Sequence, residues 1–221
     1  MTHLALTRLL QLASPALPVG AYSYSQGLEA AIEAKLVSDE ASALEWIEDV
    51  LELTIARAEA PLFLRLYDAW SEDDEAAAAR WNALFLATRE TAELRAETLQ
   101  MGHSLARLAR ELGHSPPFDR CGHLALPAAY AWAAVSCGLD APSALTAYVW
   151  SWAENQVMAA VKAVPLGQSA GQRVLYALGP AIATIAERAR LVDDGSIGSF
   201  APAFAILSSQ HETQYSRLFR S

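Results

Sequence analysis

The chain carries helical periodicity almost from end to end and no convincing alternation of period two. In "SALEWIEDVLELTIARAEA", Leu44, Ile47, Leu51, Ile55 and Ala58 fall at three- and four-residue steps, which puts them on one helix face. Ser38 and Asp39 precede that run as caps. Pro61 suits the first turn of a following helix, "PLFLRLYDAW". The acidic run "SEDDEAAAARW" reads as a helix N-terminus, where the dipole favours carboxylates. The pattern continues through Leu94, Thr98, Met101, Leu105, Leu108 and Leu112. "GHSPPFDRCGH" breaks it. A helix over about 125–138 follows, then a buried helix over about 142–164, apolar on nearly every side. "PLGQSAGQ" separates it from "RVLYALGPAIATIAERARL", which Gly179-Pro180 is expected to kink. No repeat is evident. These readings predict an all-α fold, a single-domain irregular bundle of roughly eight to ten helices.

Hydrophobic residues make up 53% of 221 positions, enough for a sizeable core. The formal charge is −9, which argues against unaided nucleic-acid binding. The charge is uneven: residues 1–100 net −10 and residues 101–221 net +1, so an acidic face is expected on the first half. Two cysteines are too few for a disulfide framework and fit a reduced cytosolic chain. The N-terminus lacks a strong basic start and is broken by prolines, unlike a signal peptide. The stretch 142–164 holds Glu154, Asn155, Gln156 and Lys162, which a membrane helix rarely tolerates together. A soluble, cytoplasmic protein without membrane contact is expected.

No motif supplies catalysis. "GQSAGQR" lacks the Gly-Lys-Ser/Thr that cradles a triphosphate. There is no Gly-x-Ser-x-Gly elbow and no His-Glu-x-x-His. Cys121 and His123, with His114 nearby, offer soft ligands but do not complete a four-ligand site. Lys162, one of two lysines against fourteen arginines, lies in an apolar helix. It reads either as a snorkelling side chain at the helix C-terminus or as a charge kept for a partner.

Three segments, "SPALPVGAYSYSQGLE" (14–29), "AVPLGQSAGQRVL" (163–175) and "HETQYSRLFRS" (211–221), resemble the signatures of the UreF family of urease accessory proteins. "ETLQMGHSLARL" is similar to the Met-Gly helix of that family, whereas "FDRCGHLALPAAYAW" departs from its pattern, with Pro127 late. The resemblance runs from about residue 5 onward. It implies an all-α fold that dimerises. It also implies a cytoplasmic complex with a UreD-type (also called UreH) accessory protein and the GTPase UreG, which delivers nickel to apo-urease. It implies no catalysis by this chain and no cofactor of its own. The alternatives left by the residues themselves are a small helical metal-dependent enzyme using His123, Cys121 and a carboxylate, or a helical regulatory protein.

Two sets of partner-binding residues are expected. Lys162, Gln168, Gln172 and Arg173 form a GTPase-facing surface around "AVPLGQSAGQR", with Gly167 and Gly171 permitting a tight backbone. The second set lies in the C-terminal docking segment, about 208–221, taken to be flexible like residues 1–10. There Tyr215, Leu218 and Phe219 would share one face of a helical turn. Arg217 and Arg220 would supply planar donors, and Tyr22 would stack on the Arg217 guanidinium.

Overall fold

The computed structural model describes residues 1–117 and 123–221. The described residues are helical throughout the body, with no strand among them. The helices are α1 (His3–Ala13), α2 (Leu28–Glu33), α3 (Glu40–Val50), α4 (Ala60–Ser71), α5 (Glu75–Ala87), α6 (Ala92–Glu111), α7 (Leu126–Ser136), α8 (Ala141–Ala163), α9 (Gln168–Arg188) and α10 (Pro202–His211). Local sequence sets most starts. Asp39 and Ser42 form a reciprocal capping box on α3. Asp74, Thr91 and Asp140 each accept a backbone N–H in the first turn of α5, α6 and α8.

The expected break at Pro61 is absent. Helix runs unbroken from Glu40 to Ser71, with a π-helical stretch over Leu51–Glu59. In that stretch the Ala60 N–H reaches back five residues, to the Ile55 carbonyl. The wider turn accommodates the proline, whose ring would clash with the carbonyl four residues back in an α-helix. Pro61 has no N–H for the Arg57 carbonyl. The Gly198 N–H donates to that carbonyl instead, at 3.3 Å, and the Phe200 N–H donates to Leu53 at 3.4 Å. A strap after α9 therefore satisfies what the proline leaves open. Arg65 fixes the same strap through Asp194 and the Val192 carbonyl.

Other boundaries differ too. The acidic run and the Leu94–Leu112 stripe belong to two helices, because Thr91 caps a new one. Helix α9 begins at Gln168, inside the expected interruption, and continues past Pro180. Helix α1 starts at His3, within the segment expected to be flexible.

The core is centred on α8, which packs against α9, α1 and α4, while α7 packs on α4 and α6. Phe63, Tyr130 and Tyr148 pack together at its middle, with ring centroids 5.0–6.1 Å apart: Phe63 stacks on Tyr148, and Tyr130 meets Tyr148 edge-on. Gly102 allows α6 to lie against the start of α7: a Cβ there would stand 2.2 Å from the Leu124 carbonyl oxygen.

Candidate functional site

The candidate site is the seat of the C-terminal tail, residues 212–221, against the loop before α2. Helix α10 ends at His211, and the remaining residues are not helical. The expected helical turn is therefore not formed, and its three apolar residues separate. Phe219 is buried, whereas Tyr215 and Leu218 face solvent. Phe219 fills a small satellite core with Leu28, Ala31, Val37, Ala160, Val164 and Leu207.

Three glutamates hold the tail. Glu29, in the first turn of α2, accepts the backbone N–H groups of Leu218 and Phe219 at 2.6 and 3.0 Å. Glu93, in the first turn of α6, takes the Arg217 guanidinium on one oxygen and His211 Nδ1, at 2.8 Å, on the other. The other His211 ring nitrogen lies 3.1 Å from Glu29, so this fully buried imidazole bridges two carboxylates. Glu97, one turn further along α6, receives Ser221 Oγ on Oε2 and Gln26 Nε2 on Oε1, both at 2.6 Å.

The loop completes the seat. The Ser221 carbonyl accepts the N–H groups of Ser25 and Gln26 and the Ser25 hydroxyl, while the Arg220 N–H donates to Ser23. Gln26 adopts a left-handed backbone, φ 51°, which few side-chain-bearing residues occupy. Its side chain is fixed on both ends, since Trp152 Nε1 donates to Gln26 Oε1 at 2.6 Å. Arg217 is thus committed to Glu93, and the Tyr22 ring, 76% exposed, does not stack on it. Burial and the Glu97 charge push the Tyr24 hydroxyl up from its ordinary value, opposed by the nearby Arg220.

The first set of expected residues divides. Lys162 Nζ lies 4.6 Å above the Phe219 ring, which brings the two sets together at one point. Arg173 pairs through two nitrogens with Glu40, tying α9 to the start of α3. Gln168 and Gln172 are exposed on α9. Gly171 serves close helix packing rather than a tight turn: a Cβ would stand 2.8 Å from Val161, while at Gly167 it would meet nothing. Cys121 lies outside the described residues. His123 is exposed and His114 sits edge-on to Trp132. No group of three potential ligands that could hold a metal occurs among the described residues.

Beneath the seat lies a cavity of about 90 Å³. Glu59 lines it, taking the Tyr148 hydroxyl and Arg89, the latter at 3.2 Å. Burial pushes Glu97 up to about 7, opposed by its bonds from Ser221 and Gln26 and by the Arg89 charge. In their ionised form all these carboxylates accept from the chain's own donors.

The loop "PVGAYSYSQG" is expected beside the tail, through Tyr22, and it lies there, but the glutamates and His211 were missed from sequence, the glutamates because the first half is rich in acids that read as solvated charge. One signal was present. Glu97 falls within the apolar stripe of α6, three after Leu94 and four before Met101, where a solvated carboxylate does not belong.

The family model described as UreF matches residues 37–179 of this chain. The urease accessory protein UreF of Azoarcus sp. (strain BH72) is 56% identical over 99% of this chain and 96% of its own length. That of Dechloromonas aromatica (strain RCB) is 51% identical over 100% and 99%. A bifunctional urease accessory protein, UreEF, of Bordetella bronchiseptica is 53% identical over 98% of this chain, which spans 52% of that longer protein.

Proposed function

Since the chain belongs to the UreF family of urease accessory proteins, we propose that it works in urease maturation as a scaffold without catalysis of its own. In this reading it bridges a UreD/UreH-type accessory protein and the GTPase UreG. It modulates the GTPase state while nickel is inserted into apo-urease in the cytoplasm. No helix among the described residues is long and apolar enough to cross a membrane.

The observation that carries the reading is the way the tail is seated. Its backbone is gripped by Glu29, Ser23, Ser25 and Gln26, yet Tyr215 is fully exposed and Leu218 more than half exposed. Such a segment presents apolar side chains on a fixed main chain, the arrangement that gives interface hot spots at low entropic cost. Tyr22, on the loop that holds the tail, adds a third exposed ring. The UreD-type partner reads this surface and favours the seated tail over the free one.

The GTPase meets the neighbouring surface made by Lys162, Gln168, Gln172 and Arg173. Lys162 over Phe219 supports a link between the two: seating the tail sets the position of the lysine. A homodimer would use the uncharged outer face of α9, where Tyr176 is 88% exposed beside Ala177, Pro180 and Ala183. The N-terminal docking segment is the outward face of α1, with Leu4, Leu6 and Leu10 exposed.

Co-purification with both partners tests the reading. Lys162→Ala is expected to lose the GTPase while keeping the UreD-type protein. Retention of GTPase binding and urease activation by Lys162→Ala and Arg173→Ala would place that surface elsewhere.

A further inference from the structure

We propose that Glu97 is a proton-operated latch for the tail: seating Ser221 takes up a proton on Glu97, and releasing the tail gives it back. This concerns the chain alone and holds whichever partner meets the tail.

The geometry supplies the reasons. Glu97 is 3% exposed, and both its oxygens are used. On one side Gln26 is a fixed donor, because its carbonyl oxygen is already taken by Trp152. On the other side stands the Ser221 hydroxyl, which can donate or accept. A proton on Oε2 is therefore met by an acceptor, and every hydrogen bond of the seat survives protonation.

The surrounding charges favour that form. From the π-helical stretch, Glu59 faces Glu97, and from the segment between α5 and α6 comes Arg89. Arg89 is already paired with Glu59, which also accepts the Tyr148 hydroxyl from α8. A second ionised carboxylate here is a buried charge without a full partner. Tyr24 from the loop also feels the Glu97 charge, with Arg220 from the tail beside it, and Tyr148 from α8 feels it too. His211 faces Glu29 and Glu93 rather than Glu97.

Burial raises Glu97 to about 7 in the seated state. The Ser221 bond holds the value down and burial, the larger cause, holds it up; when the tail leaves, both are lost at Oε2, water reaches the oxygen, and the group falls toward its ordinary range. The raised value belongs to the seated state, so the proton's contribution is present in acid and is lost as pH rises through about 7. One proton linked in this way makes seating about tenfold weaker at pH 8 than at pH 6.

Hydrogen exchange of residues 212–221 in the full chain tests this, corrected for the intrinsic pH dependence of exchange. The opening constant of the tail is expected to rise about tenfold from pH 6 to pH 8. Glu97→Gln reproduces the donor and acceptor pattern of the protonated acid, so its tail is expected to stay protected at both values. Ser221→Ala is expected to open the tail at both values while the amides of α6 remain protected. An unchanged opening constant in the wild type would overturn the proposal. So would a wild-type pH dependence in Glu97→Gln, which moves the proton elsewhere, His211 included. Opening of α6 in step with the tail would overturn it as well, by coupling the proton to folding as a whole.

Discussion

The Glu29 carboxylate takes the backbone N–H groups of both Leu218 and Phe219, at 2.6 and 3.0 Å. The tail is thereby gripped by its main chain, and its side chains remain available. Glu29→Gln leaves a single carbonyl to serve two donors. Each hydrogen bond to a charged group contributes about 1.5–3 kcal/mol. Tryptic cleavage after Arg217 is therefore expected to speed up about tenfold or more, with circular dichroism of the body unchanged.

Phe219→Ala empties the satellite core beneath α2 and the end of α8. A buried Phe-to-Ala change costs about 3–5 kcal/mol where the whole fold depends on the site. Here the tail can leave on its own, so the global melting transition is expected to fall by less, while protection of residues 217–221 is lost. Lys162→Met keeps the aliphatic stem over the ring and removes the charge. Its effect on tail opening is expected to be small, about 0.5–1 kcal/mol.

Gly102→Ala tests the contact between α6 and the start of α7. The added methyl would meet backbone, the Leu124 oxygen at 2.2 Å and the Ala125 carbonyl carbon at 2.9 Å, which cannot rotate away. Overpacking of this kind costs about 1–3 kcal/mol and more when backbone must move. Thermal denaturation should show a lower midpoint, in contrast to Gly167→Ala, which meets nothing.

The Glu40–Arg173 pair predicts an acid-sensitive tie between α3 and α9. The hydrogen bond from Arg173 holds Glu40 below its ordinary 4.5. Its contribution is therefore present above that value and is lost as pH falls through the lowered one. Both side chains are exposed, so the effect is local. The exchange of amides at the start of α3 is expected to rise below pH 4.5 in the wild type and to be insensitive in Arg173→Ala.

Much of the fold was legible because helix signals are local. Asp39, Asp74 and Asp140 mark starts whatever lies around them. Pro61 misled because its meaning is tertiary: the carbonyl it leaves open is satisfied by Gly198, far along the chain. The tail was legible only as a segment with aromatic and arginine anchors. Its receptor was not, because Glu29, Glu93 and Glu97 acquire their role only when α2, α6 and α10 meet. Tyr22 and Arg217 were paired as ring and cation, but a carboxylate is the stronger partner for a guanidinium, and Glu93 is within reach.

The docking surface proposed for the UreD-type partner is the seated tail. The most direct measurement is the affinity of the purified chain for that partner, by calorimetry, with and without the double change Tyr215→Ala and Leu218→Ala. Neither side chain is buried in the body, so folding and tail protection should be unchanged. At least a hundredfold loss of affinity is expected, the size given by two hot-spot residues at about 1.5–2 kcal/mol each. Wild-type affinity in the double variant, with the tail still seated, would contradict it.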